Sequence, residues 1–418
     1  MLFILIYIVL VIVRPQEYPG VAEMQLPILP IALVLALLAW LIAGRKNFAE
    51  PQFPLIGAFL LVMMFSQVVN GWSGGALQQF IQFGPAVAAF VIIANTATTQ
   101  RRVMVVMAVF VLCSCVLAVH GVEQKAAGIG WTGMPLVQDG RIQYVGIFSD
   151  PNDLGLLFVA VLPMALYLSS RGGLLGLLRL FWLAAAALLL YGIYLTNSRG
   201  ALLAVGALLG AWLWQKRGLV TAVVIGGAGL AGMMMLPSRL QELDASESSA
   251  AGRVDAWYEG IQMFVSQPLF GVGAGNFTEH NYLTAHNSFV LALAETGFIG
   301  FAIWLAFVGY CFRMMLVLYR HKPELADAAA TASWTTERAL ALTLLMSLVG
   351  FFTAAFFLSR TYVIILYFIA ALVVAEYAGA SRRFAGLPVF RLTQDAGRWF
   401  VIAAGGVVAL FVITRVLL

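Results

Sequence analysis

The stretch AHNSFVLALAETGFIGFAIWLAFVGYCFRMMLVLY, residues 285–319, decides the fold. From Ser288 to Tyr319 it is apolar almost throughout. That is long enough to cross a bilayer core, which takes about 20 such residues. Its start is polar: Ala285-His286-Asn287 closes a long hydrophilic segment. An imidazole therefore sits at a membrane–water boundary, where a helix begins and its first N–H groups point outward, a natural place for an anion. Histidine titrates near neutrality, as a general acid or base requires.

Outward from this run, the same pattern fills the chain. Of 418 residues, 62% are hydrophobic and 10% charged, against about 25% charged in soluble domains. Mean hydropathy is +0.94. These values exclude a soluble protein. The net charge of +5 is scattered between apolar runs and carries no nucleic-acid signal. The three cysteines, Cys113, Cys115 and Cys311, lie inside apolar runs without histidine or carboxylate beside them, so packing is expected rather than a disulfide or a metal. Met1–Val13 is apolar but has no basic leader or small-residue cleavage site; it reads as a short first span or anchor.

The other candidate spans are Leu2–Val13, Leu26–Ala43, Phe53–Val69, Phe80–Asn95, Val103–His120, Leu154–Ser169, Leu180–Leu195, Ala201–Trp214, Leu219–Leu236, Ala339–Leu358, Thr361–Tyr377 and Phe400–Leu418. The expected fold is all-α, a polytopic membrane protein of 12 or 13 transmembrane helices in which residues 1–418 form a single integral membrane domain. Alternate loops beginning at Gly44–Gln52, Arg45 among their basic residues, hold 16 of the 24 Lys and Arg, and the opposite side holds 8, Arg239 among them. The richer side is expected to be cytoplasmic. Two long loops then face outward, residues 121–153 and residues 237–286. Within the second, Val254, Trp257, Tyr258, Ile261, Met263 and Phe264 are spaced for a short amphipathic helix lying along the membrane face. Gln267-Pro268 ends it, and Gly271-Val-Gly-Ala-Gly275 follows as a tight turn.

Several outward residues can carry chemistry. Arg141, Arg199 and Arg253 lack an obvious partner in sequence, and a guanidinium fork matches phosphate oxygens. Blander readings stand beside these: Arg199 as an interfacial snorkelling residue, and Arg253 as the partner of Asp255 or Glu259. Glu295 and Arg360 are ionisable within or beside spans, where charge is costly. Asn287 follows His286 at the helix entry. In Ser149-Asp-Pro-Asn-Asp153, Asp153 is expected to cap the next span. Of the other histidines, His120 ends a span and is read as a cap, His280 lies in the same loop as His286, and His321 falls in a basic, solvated loop. Gly297 and Gly300, after Glu295, allow close helix packing or a break.

His286-Asn287, nine intervening residues and Gly297-Phe-Ile-Gly300 resemble the signature of the O-antigen ligase and polymerase superfamily. So do Arg199 followed by Gly-Ala-Leu-Leu203, Phe148-Ser-Asp-Pro-Asn-Asp-Leu-Gly155 and Pro268-Leu-Phe-Gly-Val-Gly273. The resemblance covers residues 141–304 and implies an inverting glycosyltransferase of cell-surface polysaccharide biosynthesis. It implies a polyprenyl (undecaprenyl) diphosphate-linked glycan as donor, used at the periplasmic face of the bacterial inner membrane without cofactor or metal. The acceptor would be a glycan, a lipid A core or a protein hydroxyl. Carried over, Arg199 and Arg253 hold the diphosphate and His286 orients or deprotonates the acceptor, with Arg141, Asn287, Glu295 and Arg360 in support. Polymerase and protein O-oligosaccharyltransferase activities remain alternatives within the class. A transporter of lipid-linked or anionic sugars is the alternative outside it, although its two similar halves are missing from this sequence.

Overall fold

In the computed structural model, residues 1–44, 46–171, 173, 176–234 and 248–418 are described, with the side chains of residues 228–234 and 248–250 set aside. Arg45, Arg239, the last residues of the span expected to end at Leu236, and the part of the 237–286 loop up to residue 247 lie outside them.

The described residues form helices and no strands. In chain order the helices are α1 (Leu2–Ile12), α2 (Ile28–Ile42), α3 (Gln52–Val69), α4 (Ser73–Thr96), α5 (Gln100–Ala127), α6 (Pro151–Ser169), α7 (Leu177–Thr196) and α8 (Arg199–Arg217). After these come α9 (Leu219–Met234), α10 (Ser248–Ser266), α11 (Phe277–His280), α12 (Ser288–Arg320), α13 (Ala328–Ala355), α14 (Ile364–Arg383) and α15 (Leu392–Leu417). Among the described residues, nine helices are long and apolar enough to cross a membrane: α3 to α7 and α12 to α15. The chain is an all-α polytopic membrane protein. α1 has 11 residues and α2 has 15, so at 1.5 Å per residue they reach about 17 and 23 Å, short of a full crossing. α6 and α14 are buried along nearly their whole length. α15 is mostly exposed, its apolar side chains facing where lipid would be.

Side chains start these helices where the sequence offers them. Thr99, Asp150, Ser198, Asn287 and Asp327 each accept a hydrogen bond from the first turn that follows, meeting donors that have no intrahelical partner. The connecting segments then gather at two ends. At one end, the Tyr18 hydroxyl meets the Tyr144 hydroxyl at 2.5 Å, Asn70 Nδ2 donates to the Gly271 carbonyl at 2.9 Å, and the Thr284 hydroxyl reaches Ser359 Oγ at 2.8 Å. At the other, Asn47 N–H donates to Asn95 Oδ1 at 2.6 Å and Gln100 Nε2 to Glu337 Oε1 at 2.8 Å.

The long apolar run from Ser288 is broken. Gly297, inside α12, has φ 63° and ψ −166°, far from helical. The break leaves backbone groups that a membrane interior cannot hydrate, and residues 268–273 supply the missing partners. Val272 N–H donates to Ala294 O at 2.9 Å and Gly273 N–H to Glu295 O at 3.1 Å. Phe298 N–H donates to Pro268 O at 2.8 Å and Ile299 N–H to Leu269 O at 3.3 Å. This inserted segment is itself anchored. Ala274 O accepts from Gln67 Nε2 and from Gln79 Nε2, the latter at 2.7 Å, and Ala274 N–H donates to Ser66 Oγ at 3.0 Å.

The amphipathic helix of the 237–286 loop forms as α10, packed against α12 and α15. Its Gly260 packs against Val290 near the start of α12, and Ile261, Phe264 and Val265 approach Leu293 of α12 together with Val407, Val408 and Phe411 of α15. Arg415 of α15 lies over the Tyr258 ring at 5.5 Å. α10 thus descends alongside α12 and antiparallel to α15, and delivers residues 268–273 to the depth of the α12 break.

Candidate active site at one end of the bundle

The turn between α7 and α8 is Asn197-Ser198. Asn197 adopts a left-handed backbone, φ 48°, which asparagine tolerates better than most side chains. Ser198 then caps α8, taking the Ala201 N–H at 3.3 Å, while its hydroxyl donates to Asn152 Oδ1 at 2.7 Å. Asn152 is in the first turn of α6. Its own N–H and Nδ2 donate to Asp150 Oδ1 at 2.7 and 2.9 Å. Arg141 joins the same group: its Nη2 donates to Asn152 Oδ1 at 3.0 Å and its Nε to the Thr196 carbonyl at 2.9 Å.

Around this junction lies a cavity of about 310 Å³. Arg141, Arg199 and Arg253 all line it, with Asn152, Asn197 and Ser198. Its remaining wall is apolar, from Val254, Trp257, Phe357, Leu358 and Leu417. The three arginines come from the 128–150 loop, the N-terminus of α8 and the first turns of α10, and each is half-buried. Three guanidinium groups in a space of this size, backed by hydrocarbon, suit an anion carried on an apolar chain.

His286 does not line that cavity, yet it lies within electrostatic reach of it. Burial lowers its pKa from the ordinary imidazole value, the Arg253 charge lowers it further, Asp150 partly offsets this, and Arg360 adds to the depression. These effects favour the neutral ring, the form able to accept a proton. Its backbone is left-handed, φ 48°, and its N–H donates to Ser359 Oγ at 2.8 Å. Asn287, next in the chain, caps α12: its Oδ1 accepts from Phe289 and Val290 N–H at 2.9 and 3.1 Å.

Two sequence expectations change here. Asp153 does not cap α6; that is Asp150, one turn earlier. Asp153 instead forms a two-pronged ion pair with Arg360, Nε to Oδ1 and Nη2 to Oδ2, from the loop between α13 and α14. His120 does not end its helix either. α5 runs on to Ala127, and His120 is buried inside it with Nε2 at 2.8 Å from the Thr132 hydroxyl. Glu295 is buried at the α12 break, where its Oε1 accepts the Phe277 N–H at 3.0 Å; it touches the start of α11 and does not line the cavity. His280 ends the short helix α11, and His321 packs edge-on to Trp334. Sequence reasoning passed over Ser359, and it noted Asn152 and Ser198 only as turn, cap or donor residues without a place in the site. All three are small polar side chains in turns or in a helix's first turn, with no local signal beyond cap chemistry.

Fold and cavity define a polytopic helical membrane protein with a cationic, hydrocarbon-backed pocket at one end of its bundle. Residues 184–305 match the family described as O-antigen ligase, a stretch that contains Arg199, Arg253 and His286, and this match supports a place in the O-antigen ligase superfamily. Residues 1–173 match a family of unknown function (DUF5935). Among curated proteins, none matches the chain.

Proposed function

We propose that this protein is an O-antigen ligase-like glycosyltransferase. It moves a glycan from a polyprenyl diphosphate carrier to an acceptor hydroxyl at the periplasmic face of the bacterial inner membrane. The observation that carries this reading is the meeting of Arg141, Arg199 and Arg253 in one apolar-backed cavity, with the His286 imidazole, its pKa lowered by burial and by Arg253, within electrostatic reach. Arg199 and Arg253 hold the diphosphate, and Arg141 stands alongside. His286 takes the proton of the acceptor hydroxyl as its oxygen attacks the anomeric carbon. The bond from that carbon to the diphosphate oxygen breaks on the opposite face, with inversion. The departing diphosphate gains negative charge, and fixed guanidinium groups stabilise that charge where it develops. Asn287 and Arg360 act indirectly, through the cap of α12 and the ion pair to Asp153. Glu295 acts further off, through its hold on the start of α11.

A cavity at one end of the bundle favours transfer over transport, which wants its site near the bilayer midplane. The test is to delete the gene and analyse lipid-linked intermediates and surface glycans by mass. Full-length polymer accumulating on the carrier lipid marks a ligase, and accumulated single repeat units mark a polymerase. Unchanged intermediates and glycans reject the reading.

A further inference from the structure

His286 is held from two sides. On its C-terminal side, Asn287 caps α12. On its own N–H the holder is Ser359, whose Oγ accepts at 2.8 Å and also accepts the Thr284 hydroxyl at 2.8 Å. A left-handed backbone at a residue with a side chain persists only where its surroundings enforce it, and Ser359 is what the His286 amide meets in that conformation. The contact is one rung of a longer strap. Ser288 Oγ donates to the Leu358 carbonyl at 2.6 Å and accepts from Arg360 N–H at 2.8 Å. The Thr361 hydroxyl donates to the Ser288 carbonyl at 2.6 Å. Residues 358–361 thus run along 284–288 and grip the entry to α12.

The strap is tied down at its far side. The Arg360 guanidinium donates to the Ser359 carbonyl at 3.0 Å and spans both carboxylate oxygens of Asp153. Asp153 shares the first turn of α6 with Asn152, the residue that fixes Arg141 and Ser198 at the cavity. One short stretch of chain therefore fixes the histidine's place relative to the arginine group.

We infer that Ser359 is the positioning residue for His286, locked by the Asp153–Arg360 pair. The inference rests on the reading of His286 as the group that takes the acceptor's proton. Ser359 touches no reacting atom. It fixes where the imidazole stands relative to the diphosphate site, and reactivity falls steeply when a reacting group is displaced by an ångström.

The test uses the full-length protein in detergent or liposomes, with a purified lipid-linked glycan as donor. Ser359→Ala is expected to lower kcat roughly 10- to 100-fold while donor KM stays within about twofold, because the arginine group is untouched. The acid limb of the pH–rate profile should also move up, as the ring relaxes out of its buried place beside Arg253. Ser359→Thr, which keeps the hydroxyl, should restore most of kcat. Wild-type kcat in Ser359→Ala, or a raised KM with kcat intact, overturns the inference. Should Ser359→Ala fail to fold, the isosteric Thr284→Val loosens the same hydroxyl and is judged by the same two outcomes. His286→Ala runs in parallel. Activity surviving in it sinks the reading of His286 itself, whereas a dead His286→Ala beside a normal Ser359→Ala sinks only the role of Ser359.

Discussion

Gly297→Ala should cripple the fold, and the structure gives the reason in three parts. Gly297 sits at φ 63°, ψ −166°, a region open essentially to glycine, at a cost of about 1–3 kcal/mol for another residue. A Cβ there would lie 2.5 Å from both the Leu269 carbonyl oxygen and the Phe270 nitrogen, about 1 Å inside comfortable contact. Both are backbone atoms, so the segment 268–273 must move away as a piece. Moving it breaks the four hydrogen bonds that bridge the α12 break, each contributing about 1 kcal/mol. Together these give a loss of roughly 5–7 kcal/mol, which for a chain of this length lowers the thermal midpoint by roughly 6–8 °C. Thermal unfolding in detergent, followed by tryptophan fluorescence, measures it. Gly57→Ala is the control: it lies inside α3 with open space around its Cβ, and alanine there is neutral or stabilising by up to about 1 kcal/mol. A Gly297→Ala protein melting within about 2 °C of the wild type would refute the inserted-segment argument.

Four further outcomes are expected. Arg199→Ala, Arg253→Ala and His286→Ala should each insert normally yet lose about 10²–10³-fold in transfer, read by quantifying glycan product; normal product from any of them removes that residue from the proposed site. Because burial and Arg253 hold the His286 pKa below the ordinary value of 6.5, the neutral, proton-accepting form persists below that pH; the acid limb of the rate profile should lie there, and Arg253→Gln should raise the imidazole pKa in an NMR titration of labelled histidine. Chelators should leave transfer intact, since guanidinium groups serve where a divalent cation would; strict dependence on added cation contradicts this. Single cysteines at the exposed Tyr282 and at Lys322 should react with a membrane-impermeant thiol reagent from opposite sides, the first from the periplasm; labelling of Tyr282→Cys from the cytoplasm reverses the orientation.

The helical spans were legible because a 20-residue apolar run has few alternatives in a chain this hydrophobic. Their ends were not, because polar residues ride on the helices where other helices or loops receive them. α4 begins at Ser73 and carries Gln79, which reaches the Ala274 carbonyl. α5 passes His120 because Gln124, a turn further on, bonds the Met134 and Pro135 carbonyls of the following loop. Asp150 and Asp153 both fit a cap locally, and the choice was made by Arg360, 207 residues away. The cations of the cavity could be picked out as outward arginines against the charge bias. Their convergence could not, because it depends on Asn152 and Ser198, which read as ordinary turn residues.

Two left-handed residues bear on how an anion would be held. Asn197 precedes Ser198, the cap of α8, and His286 precedes Asn287, the cap of α12. In each case the chain turns sharply into a helix N-terminus at the end of the bundle where the cavity lies, and α6 starts there too. Such termini usually bind anions through their first free N–H groups. Here several of those groups are already taken. Asp150 holds the Asn152 N–H, Ser198 holds that of Ala201, and Asn287 holds those of Phe289 and Val290. The helix dipoles still bias the site toward negative charge, but with so many of these groups taken an anion there needs side-chain donors as well. That requirement explains why three arginines are gathered where helix ends alone would ordinarily serve. It also predicts that lysine cannot replace Arg199, because a single ammonium lacks the fork that spans two phosphate oxygens. Arg199→Lys should keep the charge and the fold but lose at least about tenfold in kcat/KM, the worth of one such hydrogen bond at about 1.4 kcal/mol; full activity in that variant would return the binding role to the helix ends.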